Sequence, residues 1–253
     1  MRRALAPRWQ VFFGVALFGN LACAQIITVP PPKPRPPVPA YEQPQWSLVL
    51  GAGWSRRTAP LPEGLSNDQR DFIEAQRNGA QASLGVEHYR TATFGFGLSV
   101  EGVQWSHSAA SLTLEDTGLV TARAAASSTV RLLSVGPRMF WRPVDPRGRV
   151  AFTLEVGGGY VNYRDAFTFG ADSSRIIGHS VFGNGALLLD VKATDRITIG
   201  ARLAYVLASF NRFEVEYENG IIGALPSGYT ENARHIDLGL RVGFALGRGQ
   251  APD

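Results

Sequence analysis

The sequence predicts an all-β protein, an eight-stranded antiparallel up-and-down transmembrane β-barrel. The first observation is the alternation of the last strand-like segment, where apolar residues at every second position from Ile236 to Leu246 oppose a face carrying His235, Asp237 and Arg241. A helix cannot separate these two sets, because its side chains repeat every 3.6 residues. The other two observations are an alternation of long and short links between such segments and an export signal at the N-terminus. Together they favour strands that lie between lipid and a polar interior.

The same period-two alternation recurs in seven earlier segments, which gives eight predicted strands. They cover residues 46–55, 79–90, 93–105, 129–142, 149–163, 178–192, 196–210 and 234–246. The links after the second, fourth and sixth strands are short, whereas those after the odd-numbered strands cover 56–78, 106–128, 164–177 and 211–233. A soluble β-sandwich is compatible with the composition but gives no reason for this regularity. A bacterial barrel does, because its periplasmic turns are short, its outer loops are long and its strand number is even.

Residues 1–24 have the pattern of a secretory signal peptide. Arg2, Arg3 and Arg8 precede a short apolar core at 11–18, and Ala22-Cys23-Ala24 forms a cleavage motif. The core is shorter than the roughly 20 residues that span a bilayer. A membrane anchor and a lipoprotein modified at Cys23 are the alternatives. Cleavage after Ala24 removes the only cysteine and leaves 22 basic against 21 acidic residues, a balance that gives little support to nucleic-acid binding.

Two further segments flank the predicted barrel at residues 46–246. Residues 25–45 form a linker that contains eight of the sixteen prolines. Proline fixes φ and removes amide donors, so this linker is predicted to be an extended periplasmic lead. The alternative to a simple spacer is that the linker binds a periplasmic or cell-wall partner. Residues 247–253 form a C-terminal tail, and the even strand count places both ends of the barrel in the periplasm.

Side-chain parity assigns several charged residues to the barrel interior. The interior of an eight-stranded barrel is just wide enough for side chains to fill, and isolated charges buried there would be costly. We therefore expect an ionic network that closes the lumen, with a proton or ion path, a narrow channel and catalytic carboxylates as alternatives. No metal or cofactor is predicted. The network consists of Glu87, Glu101, Arg138, Glu155, Asp190, Arg202, Asp237 and Arg241.

Aromatic residues recur near the ends of the predicted strands. Trp46 and Trp54 lie about 26 Å apart along one strand, or some 20 Å vertically if the strand tilts by about 40°. That separation is close to the height of about 25 Å that aromatic girdles flank in membrane barrels. Two core tryptophans of a soluble sandwich are the alternative. The predicted girdle consists of Trp46, Trp54, Phe94, Trp141, Tyr160, Tyr205 and Phe244.

The pattern of residues 46–246 resembles that of small outer-membrane barrels of the OmpA/OmpX-like superfamily. The last strand is similar to the insertion signal read by the barrel-assembly machinery, with Asp237, Gly239, Val242 and Phe244 at its polar, glycine and hydrophobic positions. Such proteins usually end at the aromatic residue, whereas 247–253 follow here. The resemblance implies a monomer in the outer membrane that contacts membrane lipids and lipopolysaccharide.

The predicted function is that of a non-enzymatic barrel serving envelope structure or surface interaction through long extracellular loops. Some eight-stranded barrels modify lipid A, so an outer-membrane deacylase or acyltransferase is the main enzymatic alternative. It would need a histidine, a serine and a carboxylate together at the outer rim. His107, between Ser106 and Ser108, and His179, beside Ser180, are the candidates. Adjacent strand residues point to opposite faces, which argues against a direct His179–Ser180 pair.

Overall fold

Eight strands form a closed antiparallel ring, which confirms the predicted all-β up-and-down barrel. The computed structural model describes residues 46–62, 64–116, 120–143, 149–217, 222–224 and 230–246; the predicted signal peptide, proline-rich linker and tail lie outside these ranges. The elements in chain order are β1 (Trp46–Arg57), α1 (Asn67–Ala75), β2 (Asn78–Tyr89), β3 (Phe94–Asp116), β4 (Val120–Trp141), β5 (Val150–Phe169), β6 (Asp172–Lys192), β7 (Ile197–Phe210), β8 (Phe213–Tyr217), β9 (Ile222–Ala224), β10 (Glu231–Asn232) and β11 (His235–Ala245).

The ring consists of β1 to β7 and β11. Each of β1 to β6 pairs with its successor, and β11 lies between β7 and β1. The β1–β11 ladder runs from Ser47 opposite Ala245 to Arg57 opposite His235. Because the first and last strands pair along their length, neither leaves an open sheet edge.

Two of the predicted outer loops are wrong, because the strands continue through them. β3 and β4 pair up to Asp116 opposite Val120, with an irregularity between Ala109 and Leu112. β5 and β6 pair up to Phe169 opposite Asp172, where Gly170, with φ of +62°, allows a tight turn. Residues 106–128 are rich in serine, threonine and alanine and lack a clear apolar face. The ladder continues there because the lower part of the hairpin has already set its register.

The first long link contains a helix that the sequence analysis missed. Ser66 caps α1: its hydroxyl accepts from the Gln69 N–H at 3.4 Å, and the Gln69 side chain accepts from the Ser66 N–H at 3.0 Å. Phe72 of α1 is buried with Leu112 and Ala126, so the helix is held on the extended β3–β4 hairpin. In the described ranges, no helix is both long and apolar enough to cross a membrane.

The outward face of the ring carries an extended apolar surface, called here the outward belt. Apart from His88, every outward residue of the belt is apolar, aromatic or glycine. Leu240 and Val181, for example, are 68% and 76% exposed. An exposed apolar surface of this size is unusual for a protein surrounded by water. The belt comprises every second residue of 46–54, 80–88, 94–102, 133–141, 150–160, 181–191, 197–207 and 236–246.

Candidate functional site in the barrel interior

All eight charged residues assigned to the interior are buried, and four of them form a closed ring of ion pairs. Arg138 pairs with Glu101 at 2.8 Å and with Glu155, and Arg202 pairs with Glu101 at 2.7 Å and Glu155 at 2.9 Å. Asn184 also donates to Glu155, at 2.8 Å. Since β3 and β7 lie on opposite sides of the barrel, the contact between Glu101 and Arg202 bridges the lumen.

The remaining charges form two smaller groups. Arg241 pairs with Glu87 at 2.7 Å and with Asp190 at 3.3 Å. Asp237 lies 3.5 Å from the Nε2 atom of His235. A small cavity of about 30 Å³ lies beside the ion-pair ring, lined by Glu101, Arg138, Glu155, Arg202 and Arg241 together with residues of β2 and β3.

Glycines of the barrel wall make room for these long side chains. A Cβ atom at Gly200 would lie 2.0 Å from Asp190 Oδ1, and one at Gly157 would lie 2.5 Å from Asn184 Oδ1. Both distances are shorter than any real contact, so a side chain at either glycine would displace the polar group. The wall therefore alternates long polar residues with glycines to fit them into a narrow lumen.

Apolar layers cover the ionic residues at both ends of the lumen. At the end of the short turns, Tyr89, Phe140 and Leu188 form a buried cluster, and Arg142 lies over the Tyr89 ring at 4.0 Å. Toward the other end, a larger cluster surrounds Trp105. Neither apolar cluster was predicted from the sequence. The larger cluster comprises Val103, Trp105, Val130, Leu132, Val161, Tyr163, Phe182, Val206, Ala208, Phe210 and Ala233.

A polar chain that the sequence analysis missed lies at the loop end, beyond the outward belt. The Gln76 side chain donates to Ser128 Oγ at 2.6 Å, and Ser128 Oγ donates to Asp165 Oδ1 at 2.9 Å. Burial raises the pKa of Asp165, against the opposing effects of the Ser128 hydrogen bond and of the Arg57 charge. Asp165 is therefore a carboxyl group whose ionised form is disfavoured by its surroundings.

Replacement of Asp165 by asparagine is expected to stabilise the protein at pH 7. A raised folded-state pKa contributes stability below the unfolded pKa, and this contribution is lost as the pH rises through the folded pKa. Asparagine keeps an acceptor for Ser128 without a charge, so its advantage should vanish near pH 3. The measurement is the urea midpoint of wild type and Asp165→Asn at both pH values. Asp172→Asn, at an exposed position, is the control; a lower midpoint of Asp165→Asn at pH 7 would contradict the expectation.

The candidate histidines do not form a hydrolase site in the described part of the chain. His107 packs edge-on against Phe72, with ring centroids 5.0 Å apart. His179 lies on the outward face, where its Nδ1 atom meets the Tyr160 hydroxyl and, at 3.2 Å, the Asn162 amide. In these described contacts, neither imidazole lies between a serine hydroxyl and a carboxylate, which is the arrangement that acyl hydrolysis requires.

Comparisons with known proteins identify the fold. No protein-family model matches the chain, and no curated protein matches it. Among solved structures, it is similar to a major outer membrane protein from Thermus thermophilus, with a TM-score of 0.51 and 12% identity over 79% of this chain and 97% of that one. The chain has the fold of an outer-membrane β-barrel.

Two other barrels of this kind are similar at lower scores. Neisserial surface protein A (NspA) has a TM-score of 0.46 and 11% identity, over 80% of this chain and 97% of that one. The outer membrane protease OmpT from Escherichia coli has a TM-score of 0.47 and 8% identity, over 67% of this chain. The chain spans only 64% of the length of OmpT.

The predicted girdle and assembly residues have clear positions on this outer-membrane barrel fold. Among the four residues of the predicted assembly signal, Asp237 and Gly239 point into the lumen, whereas Val242 and Phe244 belong to the outward belt. The girdle residues all point outward, near the short-turn edge of the belt (Trp46, Phe94, Trp141 and Phe244) or toward its loop edge (Trp54, Tyr160 and Tyr205), with exposed fractions of 38% to 53%.

Proposed function

We propose that the chain is a non-enzymatic integral protein of the bacterial outer membrane, with a closed interior and a role in envelope structure or surface interaction. The observation that carries the proposal is the outward belt. In each ring strand the belt covers nine or eleven residues, which is about 26–33 Å of strand. At a tilt of about 40° this becomes some 20–25 Å, close to the height of the apolar band of membrane barrels.

The filled interior favours a closed barrel and argues against the alternative of a narrow channel. A conducting lumen needs a continuous water-filled path. Here the ion pair between Glu101 and Arg202 spans the barrel, and the cluster around Trp105 covers the same lumen with apolar side chains. Water and ions would have to displace both layers. The pairs also offset the cost of burying the charges, which is the role we assign to the ionic network.

Orientation, assembly and partners are part of the same proposal. Residues 1–24 would direct export, residues 25–45 would lead to the barrel from the periplasm, and both termini would lie there. Asp237, Gly239, Val242 and Phe244 would be read by the barrel-assembly machinery. The barrel would function as a monomer in contact with outer-membrane lipids and lipopolysaccharide.

The long hairpins support a role at the cell surface. From Gln104, the first polar outward residue of β3, the strand continues to Asp116, about 40 Å at 3.4 Å per residue. Helix α1 packs on this projection through Phe72. An ordered projection of this size is suited to contacts outside the membrane, since recognition usually resides in surface segments on a rigid scaffold.

An arginine in the middle of the outward belt is the sharpest test of membrane insertion. Leu240 lies near the centre of the belt on β11 and is 68% exposed. In a bilayer, Leu240→Arg should cost about 2–4 kcal/mol, because the guanidinium meets lipid at the midplane. In a water-soluble barrel, the same exposed substitution should change stability by less than about 0.5 kcal/mol. The measurement is urea unfolding of the refolded protein in phospholipid vesicles, followed by tryptophan fluorescence.

Ser108→Arg is the matched control. Ser108 is an exposed outward residue of β3 beyond the belt, so an arginine there should be tolerated in both settings. Equal stability of Leu240→Arg, Ser108→Arg and wild type in vesicles would overturn the proposed membrane location.

A further inference from the structure

The outward belt is interrupted by a groove on β2 and β3. At the loop edge of the belt, these strands present only Ala80, Ala82 and Gly102 outward, whereas Trp54 on β1 and Leu133 on β4 stand on either side. The resulting groove has a volume of about 710 Å³, within the range of about 300–1,000 Å³ typical of small-molecule sites. A Cβ atom at Gly102 would have no neighbour within 4 Å, so this part of the groove is open.

Two arginines stand at the loop end of the groove. Arg131 and Arg164 are directly opposite each other in the β4–β5 ladder, and both are exposed and line the groove. Like charges in such a pair are destabilising. The Arg131 Nε atom donates to Gln104 Oε1 at 2.9 Å, which orients the guanidinium and leaves its terminal amino groups for another partner.

No carboxylate occupies the outward positions next to the two arginines on β3, β4 and β5, which are Gln104, Ser106, Thr129, Leu133, Asn162 and Ala166. On the other side of β5, Arg164 lies opposite Ile177 of β6, and Glu214 of β8 is the next residue in that row. A phosphate group between the two guanidinium groups would relieve their repulsion, and arginine binds phosphate with paired, charge-assisted hydrogen bonds. The apolar groove below would take an acyl chain and cover its methylene groups.

We propose that this groove binds a phosphorylated, acylated glycolipid of the outer leaflet, the lipid A part of lipopolysaccharide. Its phosphate would lie between Arg131 and Arg164, and one acyl chain would lie over Ala80, Ala82 and Gly102. The inference rests on the proposed orientation, in which the loop end of the barrel faces outward, where the outer leaflet carries this lipid. It adds a defined site to the general contact with lipid.

The test measures lipid binding to the full-length protein by native mass spectrometry from detergent micelles. The probes are diphosphorylated lipid A, the same lipid without its phosphates, and phosphatidylglycerol. A protein that binds the first probe at least about tenfold more tightly than the other two supports the proposal. The double variant Arg131→Gln, Arg164→Gln should lose about tenfold or more in affinity for lipid A. Gly102→Leu, which fills the groove, should lose at least about fourfold.

Two control variants match these changes elsewhere on the barrel. Arg175→Gln removes an exposed arginine on β6, and Gly185→Leu adds a side chain at another outward glycine with open space around it. Both should bind lipid A as wild type does. A folded barrel is established for every variant beforehand by its heat-dependent shift in gel mobility, so failure of the barrel itself is seen separately from failure of the site.

The remaining outcomes each overturn the proposal. Equal binding of lipid A with and without phosphates would show that the arginines have no role. Equal binding of phosphatidylglycerol would indicate a general anionic-lipid surface. Unchanged binding by Gly102→Leu would remove the acyl-chain groove, and a lipid-free dimer abolished by Gly102→Leu would show that a second copy of the chain occupies it.

Discussion

Glu155→Leu is expected to destabilise the barrel by about 3–5 kcal/mol, because it breaks a buried network from one side only. Glu155 forms ion pairs with Arg138 and Arg202 and accepts a hydrogen bond from the Asn184 amide. After the substitution, two buried guanidinium groups share the single carboxylate of Glu101. Leucine offers them no acceptor, and the apolar clusters at both ends of the lumen separate them from bulk water. The cost therefore comes mainly from the unpaired charge that stays behind, and less from the value of the lost pair itself.

The measurement is the free energy of unfolding from urea titrations in vesicles. Glu216→Gln is the matched control, since it breaks an ion pair with Arg175 that is 3.5 Å long and largely exposed. That change should cost less than about 1 kcal/mol. A loss below about 1 kcal/mol for Glu155→Leu would show that water reaches the ring and that the lumen is not closed.

A double substitution separates charge from packing. Glu155→Leu combined with Arg202→Met removes one carboxylate and one guanidinium, which leaves Arg138 paired with Glu101 at 2.8 Å. Because the charges then balance, the double variant should be more stable than Glu155→Leu alone. If the double variant instead loses the sum of the free energies lost by the two single variants, side-chain packing and not charge balance determines the stability of the ion-pair ring.

The face to which each side chain of a barrel strand points could be predicted from the sequence. The residue that it pairs with across the lumen could not. Period-two alternation is a property of one strand, so it assigns Glu101 and Arg202 to one face and Leu240 to the other without knowledge of neighbouring strands. Whether Glu101 meets Arg202 depends on the stagger of eight strands around the barrel. Their residues lie on opposite sides of the lumen and are far apart in sequence, and no local pattern encodes that contact.

The extent of the strands was missed for a related physical reason. Within the belt, one face meets lipid and the other meets the lumen, which forces alternation. Beyond Gln104 the outward face of the β3–β4 hairpin no longer needs to be apolar, and its inner face carries only scattered buried apolar residues such as Leu112 and Ala126. The pattern therefore fades although the hydrogen-bond ladder continues to Asp116. For α1 a usable signal was present, because Ser66 and Gln69 have the spacing of a capping box. The Ser128–Asp165 contact, in contrast, requires the register of β4 against β5.

Trp105→Ala is the second substitution with a large expected effect, about 3–5 kcal/mol of stability. Trp105 is fully buried in the apolar layer of the lumen, where it packs edge-on against His235 with ring centroids 5.2 Å apart and lies 5.6 Å from the Arg57 guanidinium. The wall is built around the indole, since a Cβ atom at Gly79 would lie 2.5 Å from Trp105 Cδ1. A barrel wall held by continuous hydrogen-bond ladders cannot collapse inward to fill the space that alanine leaves.

Trp54→Ala is the control that separates a cavity from the loss of an indole group. Trp54 is 41% exposed on the outward belt, so mobile lipid chains can occupy the space of its side chain, and the cost should be well below that of Trp105→Ala. Both variants are compared by urea unfolding in the same vesicles. Equal losses would mean that Trp105 contributes only its apolar surface. A much larger loss for Trp105→Ala would mean that the rigid wall prevents repacking, and would show that the apolar layer stabilises the barrel in addition to closing it.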